Sequence, residues 1–274
     1  EWADARGEKF DLLGSVIYVV AIIGIIIGIT LLPEIKSLWV ISIGVLCLFA
    51  FAKWELSVTH PIMELNIFKA NRVFAFSCIA ALINYSATFA VTFLLSLYLQ
   101  HIKALSPHMA GLVLVAQPFF MAFFSPFAGR LSDRIEPRIV ATAGMICTTA
   151  GLFLMTFLEQ NTHLGYIIGC LIVLGLGFGL FSSPNTNAIM SSVETRFFGI
   201  ASGMVGTMRT LGMMFSMGIA TVVFSIYIGR VRITAEAYPL LITSTKVAFI
   251  IFTLLCFVGI FMSIARGELR KSNL

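Results

Sequence analysis

The clearest shortage in this chain is charge. Only 11% of its 274 residues are Asp, Glu, Lys or Arg, whereas a soluble globular domain carries roughly 25%. All thirteen acidic residues fall in connecting segments or at the ends of apolar runs. A charge content this low excludes an ordinary soluble domain and indicates a chain that lies mostly in lipid.

Metal-ligating and catalytic patterns are also lacking. The four histidines fall in connectors without a His-x-x-x-His or His-Glu-x-x-His spacing, and the five cysteines are isolated within apolar runs. Neither a Gly-x-Ser-x-Gly turn nor a phosphate-binding P-loop occurs. These absences predict a protein that is not an enzyme, with no metal site and no cofactor. The cysteines are expected to be small apolar packing residues.

Long apolar runs are what the chain has in abundance. Hydrophobic residues make up 59% of it, and the mean hydropathy is +0.99. Eight runs approach the ~20 residues that a helix needs to cross a bilayer. They lie at roughly 11–32, 38–54, 73–99, 107–128, 138–158, 164–183, 199–228 and 246–265. Because the runs are continuously apolar, not alternating, they predict an all-α polytopic membrane protein with eight transmembrane helices.

The net charge of +5 does not predict a nucleic-acid partner in such a chain; the expected partner is the lipid bilayer. Twelve of the 18 Lys and Arg residues fall on the side that holds both termini, five fall on the other side, and one lies within the seventh run. Positive loops favour the cytoplasmic side, so both termini are predicted to be cytoplasmic. The polar start, residues 1–9, is expected to be a connector and not a signal peptide.

Arg209 lies inside the seventh apolar run. Counted from Gly199 at ~1.5 Å per residue, it falls near the middle of a hydrocarbon core that is ~30 Å thick. A charge there costs ~2.5–3.5 kcal/mol, and such residues normally face a polar cavity or a partner. Two interpretations stay open: Arg209 acts from a cavity wall, or it caps a structural hydrogen-bond network.

Glycines recur at four-residue spacing, which allows helix backbones to approach closely in membranes. We expect such packing at the pairs Gly24/Gly28, Gly165/Gly169, Gly175/Gly179 and Gly199/Gly203. A second pattern is the longer connector at 57–72. Its residues Ile62, Leu65 and Phe68 could form an interfacial stripe or could simply lead the chain into the third span.

The segment Gly129–Arg138 joins the fourth and fifth spans on the predicted cytoplasmic side. An acid flanked by arginines in a tight loop can pair the ends of two helices and hold one arrangement of them. The candidate residues of such a conformational latch are Gly129, Asp133, Arg134 and Arg138. The alternative is a positively charged loop with an incidental Asp.

This segment resembles the cytoplasmic loop signature of the major facilitator superfamily. That signature has Gly, three residues, Asp, a basic residue, any residue, Gly, Arg and a basic residue. The four latch candidates match it, whereas Glu136 replaces the second Gly and Pro137 replaces the Arg after it. Pro137 can open the next helix at its first position, and Glu136 suits the positive end of that helix.

Other stretches resemble the fourteen-span drug:proton antiporters of that superfamily. They are Phe10–Gly14, Leu97–Gln100, Ser106–Gly111 and Arg209–Gly212. This resemblance implies that residues 1–72 form a two-span linker region with a cytoplasmic connector and that residues 73–274 form a six-span C-terminal lobe. It also implies a partner, an N-terminal six-span lobe that this sequence lacks and that carries the proton-coupling acids.

In such a transporter the substrate cavity lies between the two lobes. The polar residues expected to reach it are Asn84, Gln117, Asn185, Asn187 and Arg209. Pro184, within Ser182–Asn187, is expected to break or kink the sixth span and could serve gating. An ordinary helix terminus there is the alternative.

The expected function is secondary active transport across the cell membrane. The substrates implied are drugs or other small lipophilic compounds, exported in exchange for protons. Flexible Met side chains and aromatic rings, of which the chain has 12 Met and 25 Phe, suit varied lipophilic substrates. The alternative is a truncated or split membrane protein that does not transport by itself and acts as an assembly partner or is a remnant.

Overall fold

The computed structural model describes residues 11–58, 66–229 and 237–268. Within this part, eight helices are long and apolar enough to cross a membrane, which confirms the predicted all-α polytopic fold. Spans 1 to 8 are, in chain order, Leu12–Thr30, Ile35–Glu55, Arg72–Ile102, Pro107–Arg134, Pro137–Met155, Leu164–Ser191, Thr195–Tyr227 and Tyr238–Ala265.

Three of the spans consist of consecutive helical pieces. Span 3 joins Arg72–Thr88, Ala90–Leu97 and a π-helical turn at Tyr98–Ile102. The remaining pieces are Pro107–Leu114 and Ala116–Arg134 in span 4, and the 3₁₀ turn Thr195–Phe197 with Phe198–Tyr227 in span 7. A short helix, Asn66–Ala70, precedes span 3.

Local capping residues explain where several spans begin. Asp11 accepts a hydrogen bond from the backbone N–H of Gly14 at 2.9 Å, as its N-cap position predicts. Asn71 caps span 3 in the same way by accepting from Phe74 N–H at 3.0 Å. Span 5 begins at Pro137, where the missing N–H of proline breaks no helical bond. The predicted role of Pro137 is thus confirmed.

Several spans extend beyond the apolar runs that predicted them. Span 6 continues through Pro184 to Ser191, so both the predicted helix break and the predicted terminus at this point are wrong. Span 4 continues to Arg134, and span 8 begins at Tyr238. A change from apolar to polar residues marks the edge of the lipid, whereas backbone hydrogen bonds can carry a helix further. Proline is tolerated in membrane helices because neighbouring groups satisfy the freed carbonyl.

Span 3 lies at the centre of the bundle. In its most apolar stretch 67% is buried, whereas in the corresponding stretch of span 2 only 17% is buried. It packs against spans 6, 7 and 8, and span 6 packs between spans 4 and 5. The large core side chains include Tyr98, Met145, Phe181, Phe249 and Phe252. Rings such as Trp39 and Phe119 are exposed on the outer faces, which suits contact with lipid.

Three alternating glycines of span 6 touch two neighbouring helices. A Cβ on Gly175 would lie 2.5 Å from the Gln117 carbonyl oxygen of span 4, and one on Gly179 would lie 3.1 Å from that of Met121. Gly177 faces span 5, where a Cβ would lie 2.6 Å from the Thr148 nitrogen. The predicted packing role of Gly175 and Gly179 is therefore confirmed.

The other glycine pairs divide into two kinds. Gly24 and Gly28 line the contact between spans 1 and 2, and a Cβ on Gly24 would lie 3.2 Å from Gly44 Cα. Beside Gly165, Gly169, Gly199 and Gly203, a Cβ would meet no other element of the described chain within 4 Å. The expected close packing is wrong for these four within the described part, because their helix faces are open there.

Spans 1 and 2 form a hairpin that rests on span 7. The Tyr18 and Thr207 hydroxyl oxygens are 2.8 Å apart, and the Trp54 indole donates to Asp11 Oδ2 at 2.8 Å across the hairpin's open end. After the hairpin, Phe68 packs edge-on against Phe74 with ring centroids 5.0 Å apart. This contact favours the interpretation that Phe68 leads the chain into span 3, not that it belongs to an interfacial stripe. Ile62 and Leu65 lie outside the described residues.

Candidate functional site

Arg209 lies near the middle of span 7 with its side chain exposed. Its guanidinium carbon is 5.7 Å from the centroid of the Tyr85 ring of span 3. Among the residues that the structure describes, Arg209 donates no hydrogen bond and forms no ion pair. This favours the cavity-wall interpretation over a structural cap, and the role of Arg209 stays a prediction.

The position of the Tyr85 ring beside Arg209 depends on Gly212. A Cβ at residue 212 would lie 2.6 Å from Tyr85 Cβ and 2.8 Å from the Leu82 carbonyl oxygen. Only glycine lets the backbones of spans 3 and 7 approach this closely. The Tyr85 ring also meets the Phe178 ring of span 6 edge-on, with centroids 5.4 Å apart. Phe178, Tyr85 and Arg209 thus form an aromatic–cation row across three spans.

The Tyr85 ring does not compensate the charge of Arg209. An exposed cation–π contact contributes about 0.5–1 kcal/mol. A charge at mid-membrane costs ~2.5–3.5 kcal/mol even on the lenient scale. The cost of the charge exceeds the gain from the ring, so Arg209 is stable in a membrane only if a polar environment or an anion meets its exposed face.

Asn84 neighbours Tyr85 in the sequence but lies on the buried side of span 3. It is fully buried, and neither polar atom of its side chain has a hydrogen-bond partner within the described chain. Its own carbonyl oxygen accepts a bond from the Thr88 hydroxyl at 2.8 Å. Asn84 therefore does not share the exposed face on which Arg209 lies.

The other predicted cavity residues are dispersed as well. Gln117 is half-buried in span 4, and its backbone carbonyl borders Gly175. Asn187 is half-buried near the end of span 6 and accepts a bond from the Ser191 hydroxyl at 3.1 Å. Asn185 is buried and donates to the Ser77 carbonyl at 3.1 Å. The structure does not gather these residues around Arg209, and their role in a cavity stays a prediction.

Arg266, directly after span 8, is a buried cation that the sequence patterns do not reveal. Only 1% of it is exposed, although its place in the sequence is that of a connector charge. Its guanidinium donates to Asn185 Oδ1 at 3.0 Å, to the Ser77 hydroxyl at 3.2 Å, and to the hydroxyl and carbonyl oxygens of Ser263 at 2.8 and 3.0 Å. Ser263 also pairs with the Thr142 hydroxyl at 2.8 Å. This network joins spans 3, 5, 6 and 8.

Burial lowers the pKa of Arg266 from its ordinary value to about 10, mainly because the charged form loses solvation. The positive charge of Arg138 lowers the pKa further, and the carboxylate of Glu136 opposes both effects. The group remains charged at neutral pH. Its role is that of a charged hydrogen-bond donor within the helix bundle.

The structure corrects the shape of the predicted latch. Gly129, Asp133 and Arg134 belong to the last turns of span 4, and only residues 135–136 separate that helix from span 5. Arg138 forms an ion pair with Glu268, beyond span 8, at 3.1 Å. Its described ion pair therefore joins span 5 to the segment after span 8, not to the end of span 4. A role for these residues in conformational locking stays a prediction.

A cavity of about 490 Å³ opens at the same end of the bundle. It is lined by the start of span 3, the connector before span 7 and the end of span 8, including Asn71, Arg72, Glu194, Arg266 and Glu268. Among the described residues, no three His, Cys, Asp or Glu side chains form a group that could hold a metal ion.

Eight apolar helices, with one cation exposed at mid-span and another fixed at a helix end, define the described chain as a polytopic helical membrane protein. Residues 77–273 match the Major Facilitator Superfamily. Since this is well over half of the chain, the protein belongs to that superfamily, as its resemblance in the segment Gly129–Arg138 implied.

Similar proteins in bacteria are transporters or resistance proteins by name. The riboflavin transporter RibZ of Clostridioides difficile (strain 630) is 28% identical over 271 residues, which cover 95% of this chain. The multidrug resistance protein Stp of Mycobacterium tuberculosis (strain H37Rv) is 27% identical over 220 residues, or 77% of the chain. The tetracenomycin C resistance and export protein of Streptomyces glaucescens is 27% identical over 221 residues, or 76% of the chain.

The chain corresponds to only part of each of these proteins. The matched regions cover 57% of the riboflavin transporter and 40% of each of the other two. These similarities and the family match identify the chain as part of a multi-pass membrane protein of that superfamily.

Proposed function

We propose that this chain forms the linker hairpin (residues 1–72) and the C-terminal lobe (residues 73–274) of a fourteen-span antiporter. The antiporter exports drugs or other lipophilic compounds in exchange for protons. The observation that carries the proposal is the exposed Arg209 at mid-span, held beside Tyr85 and Phe178.

Arg209 suits the wall of a cavity between two lobes. Intramembrane charges almost always face a bundle interior or a water-filled space. The described chain covers one side of Arg209 with Tyr85 and leaves the other side exposed. A second six-span lobe placed against this face would enclose Arg209 in the central cavity of the transporter. Transport would then proceed by rocking of the two lobes around that site.

The proposed substrate range follows from the aromatic surroundings and is consistent with the relatives. Phe178 is half-buried beside Tyr85 and leaves flat apolar surface accessible, which binds lipophilic compounds without a strict shape requirement. Two of the similar proteins are named for drug resistance or export, and a third for riboflavin. Export of small lipophilic compounds is the function that accounts for both features.

Proton coupling in this proposal depends on the other lobe. A coupling group must titrate within the transport pathway. In the described spans the acids lie at helix ends, such as Glu55 and Asp133. We therefore assign the coupling carboxylates to the N-terminal six-span lobe.

We also propose that the protein lies in the cell membrane with both termini in the cytoplasm. The basic residues that support this orientation include Arg130, Arg134 and Arg138, which lie where spans 4 and 5 adjoin, at the same end of the bundle as the Arg266 network. The burial of Arg266 removes one exposed positive charge from that end. That end still carries more Lys and Arg residues than the opposite end.

The experiment that tests the proposed function is the change Arg209→Ala in the protein expressed from its complete gene. We expect normal amounts of protein in the membrane and a loss of drug export, because the cavity loses the mid-span charge of span 7. Export is measured as dye efflux from energised cells. The matched control is Arg196→Ala, which removes an exposed arginine that lies 4.5 Å from the Phe197 ring at the end of the same span. Wild-type efflux by the Arg209 variant would contradict the proposal.

A further inference from the structure

The side chains around Arg209 restrict what can bind there. The guanidinium approaches one face of an aromatic ring, and among the described residues it has no carboxylate partner. Its hydrogen-bond donors are not used by the described chain. A ligand that reaches this face meets five free N–H donors in a planar arrangement, which matches the two oxygens of a carboxylate or sulfonate.

The aromatic part of the row favours a flat ligand. Tyr85 is held in place by the close approach at Gly212 and by the Phe178 ring, so its orientation is set before a ligand binds. Phe178 is half-buried and leaves part of its surface accessible. Flat rings pack well on such aromatic surface.

The same face disfavours a cationic ligand. A lipophilic cation in a low-dielectric site needs a carboxylate or several aromatic faces to replace its hydration. Along the described spans the acids lie at helix ends, and Arg209 would repel a cation at the middle. The charge of this lobe therefore selects for acidic compounds.

We propose that the substrate of this site is a flat aromatic compound that carries an acidic group, which Arg209 binds while the half-buried Phe178, packed against the buried Tyr85, contacts the ring. This inference rests on the proposed transport function and adds the charge and shape of the substrate. Arg209 recognises the charge, and the aromatic surface recognises flatness without regard to charge.

Two xanthene dyes of similar size and opposite charge test this assignment: fluorescein, which is anionic, and rhodamine 123, which is cationic. Efflux of each dye is measured in cells and in proteoliposomes that carry the protein from its complete gene under a pH gradient. We expect fluorescein to be transported about tenfold faster than rhodamine 123 at equal concentration, which corresponds to one well-placed ionic contact.

Variants separate charge recognition from ring contact. Arg209→Gln should bring the ratio of fluorescein to rhodamine 123 transport close to one, whereas the control Arg196→Gln should leave it unchanged. Phe178→Leu should slow both dyes by a similar factor and preserve their ratio. Arg209→Lys should retain part of the preference, because it keeps the charge but loses the planar pair of donors.

The outcomes distinguish this inference from the proposed function. Efflux of rhodamine 123 that equals or exceeds efflux of fluorescein would overturn the inference while transport itself stands. A ratio of fluorescein to rhodamine 123 transport that Arg209→Gln leaves as it is in the wild type would do the same. If neither dye moves although the protein is present in the membrane, the proposed export function is contradicted, and the substrate inference falls with it.

Discussion

Arg209 and Arg266 are both attached to long apolar helices, yet their surroundings are opposite. Arg209 lies near the middle of span 7, is exposed, and has one aromatic neighbour. Arg266 follows the last residue of span 8, is 1% exposed, and donates four hydrogen bonds. Depth along a helix suggests that Arg209 is the buried charge, but the packed structure buries Arg266.

The difference shows that the location of a charge along a helix and its burial are separate properties. Arg266 is satisfied inside the protein because spans 3, 6 and 8 each turn a Ser or Asn toward the same point. Arg209 has no such group within reach in the described chain, so its charge is directed outward. One arginine therefore stabilises the lobe, and the other is available to something outside it.

The largest effect on stability is expected for Arg266→Leu. The change removes four hydrogen bonds and leaves the buried Asn185 Oδ1 without the donor it has now, so the free energy of unfolding should fall by about 3 kcal/mol. Unfolding by SDS titration in mixed micelles measures this. Arg196→Leu, an exposed change elsewhere in the lobe, is the control and should be nearly neutral. An equally small effect for both would contradict the structural role of Arg266.

A smaller loss, about 2 kcal/mol, is expected for Gly212→Ala because the new methyl group meets Tyr85 Cβ and the Leu82 carbonyl. Spans 3 and 7 must separate, and the Tyr85 ring should move away from Arg209. The control is Gly206→Ala in the same helix, where a Cβ meets nothing within 4 Å in the described chain. The same unfolding assay should show this control to be neutral or slightly stabilising. Equal losses for the two variants would mean that close approach at Gly212 is not required.

A stability change of under about 0.5 kcal/mol is expected for Arg209→Gln. The variant loses a weak cation–π contact and gains from the removal of an exposed charge. Purified protein should melt within a degree or two of the wild type, roughly as a change of this size implies for a large domain. A loss of stability as large as that for Arg266→Leu would show that Arg209 has a strong partner within the protein. The contrast between Arg209 and Arg266 would then not hold.

No pH dependence from Arg266 is expected between about pH 6 and 9. Its pKa is lowered to about 10 in the folded protein, so the folded and unfolded forms bind the proton equally below that value. Above it the folded form releases the proton first, and stability would rise with pH until the unfolded form also releases its proton. The stability difference between wild type and Arg266→Leu, measured at about pH 6, 7.5 and 9, should therefore be constant. A difference that grows or shrinks over this range would show that another titrating group controls the network.

The architecture could be predicted because it depends on local patterns. Long apolar stretches identify membrane helices, Asp11 caps the first, and Pro137 opens the fifth. Glycine spacing also predicted the contacts of Gly175 and Gly179. In each case the relevant neighbours lie within a few residues or within a single helix face.

The candidate site could be predicted only in part. Arg209 stands out because its charge interrupts an apolar run. The Arg266 network does not stand out, because its polar partners lie in four different spans and each is an ordinary residue: Ser77, Thr142, Asn185 and Ser263. Whether they meet depends on the rotation of each helix about its own axis, which is decided by tertiary packing. For the same reason the adjacent residues Asn84 and Tyr85 are both buried, but only Tyr85 meets Arg209.

The three alternating glycines of span 6 have a mechanical consequence. The backbone of span 4 packs directly against Gly175 and Gly179, and the backbone of span 5 packs directly against Gly177. Span 6 is therefore in close contact with two helices along the same turn. Turning span 6 by one residue, ~100°, would drive Leu174 or Leu176 into a neighbouring backbone. We therefore expect spans 4, 5 and 6 to move together as one rigid unit. A rotation of spans 4 and 5 should therefore carry span 6 with it, without a rotation of span 6 about its own axis.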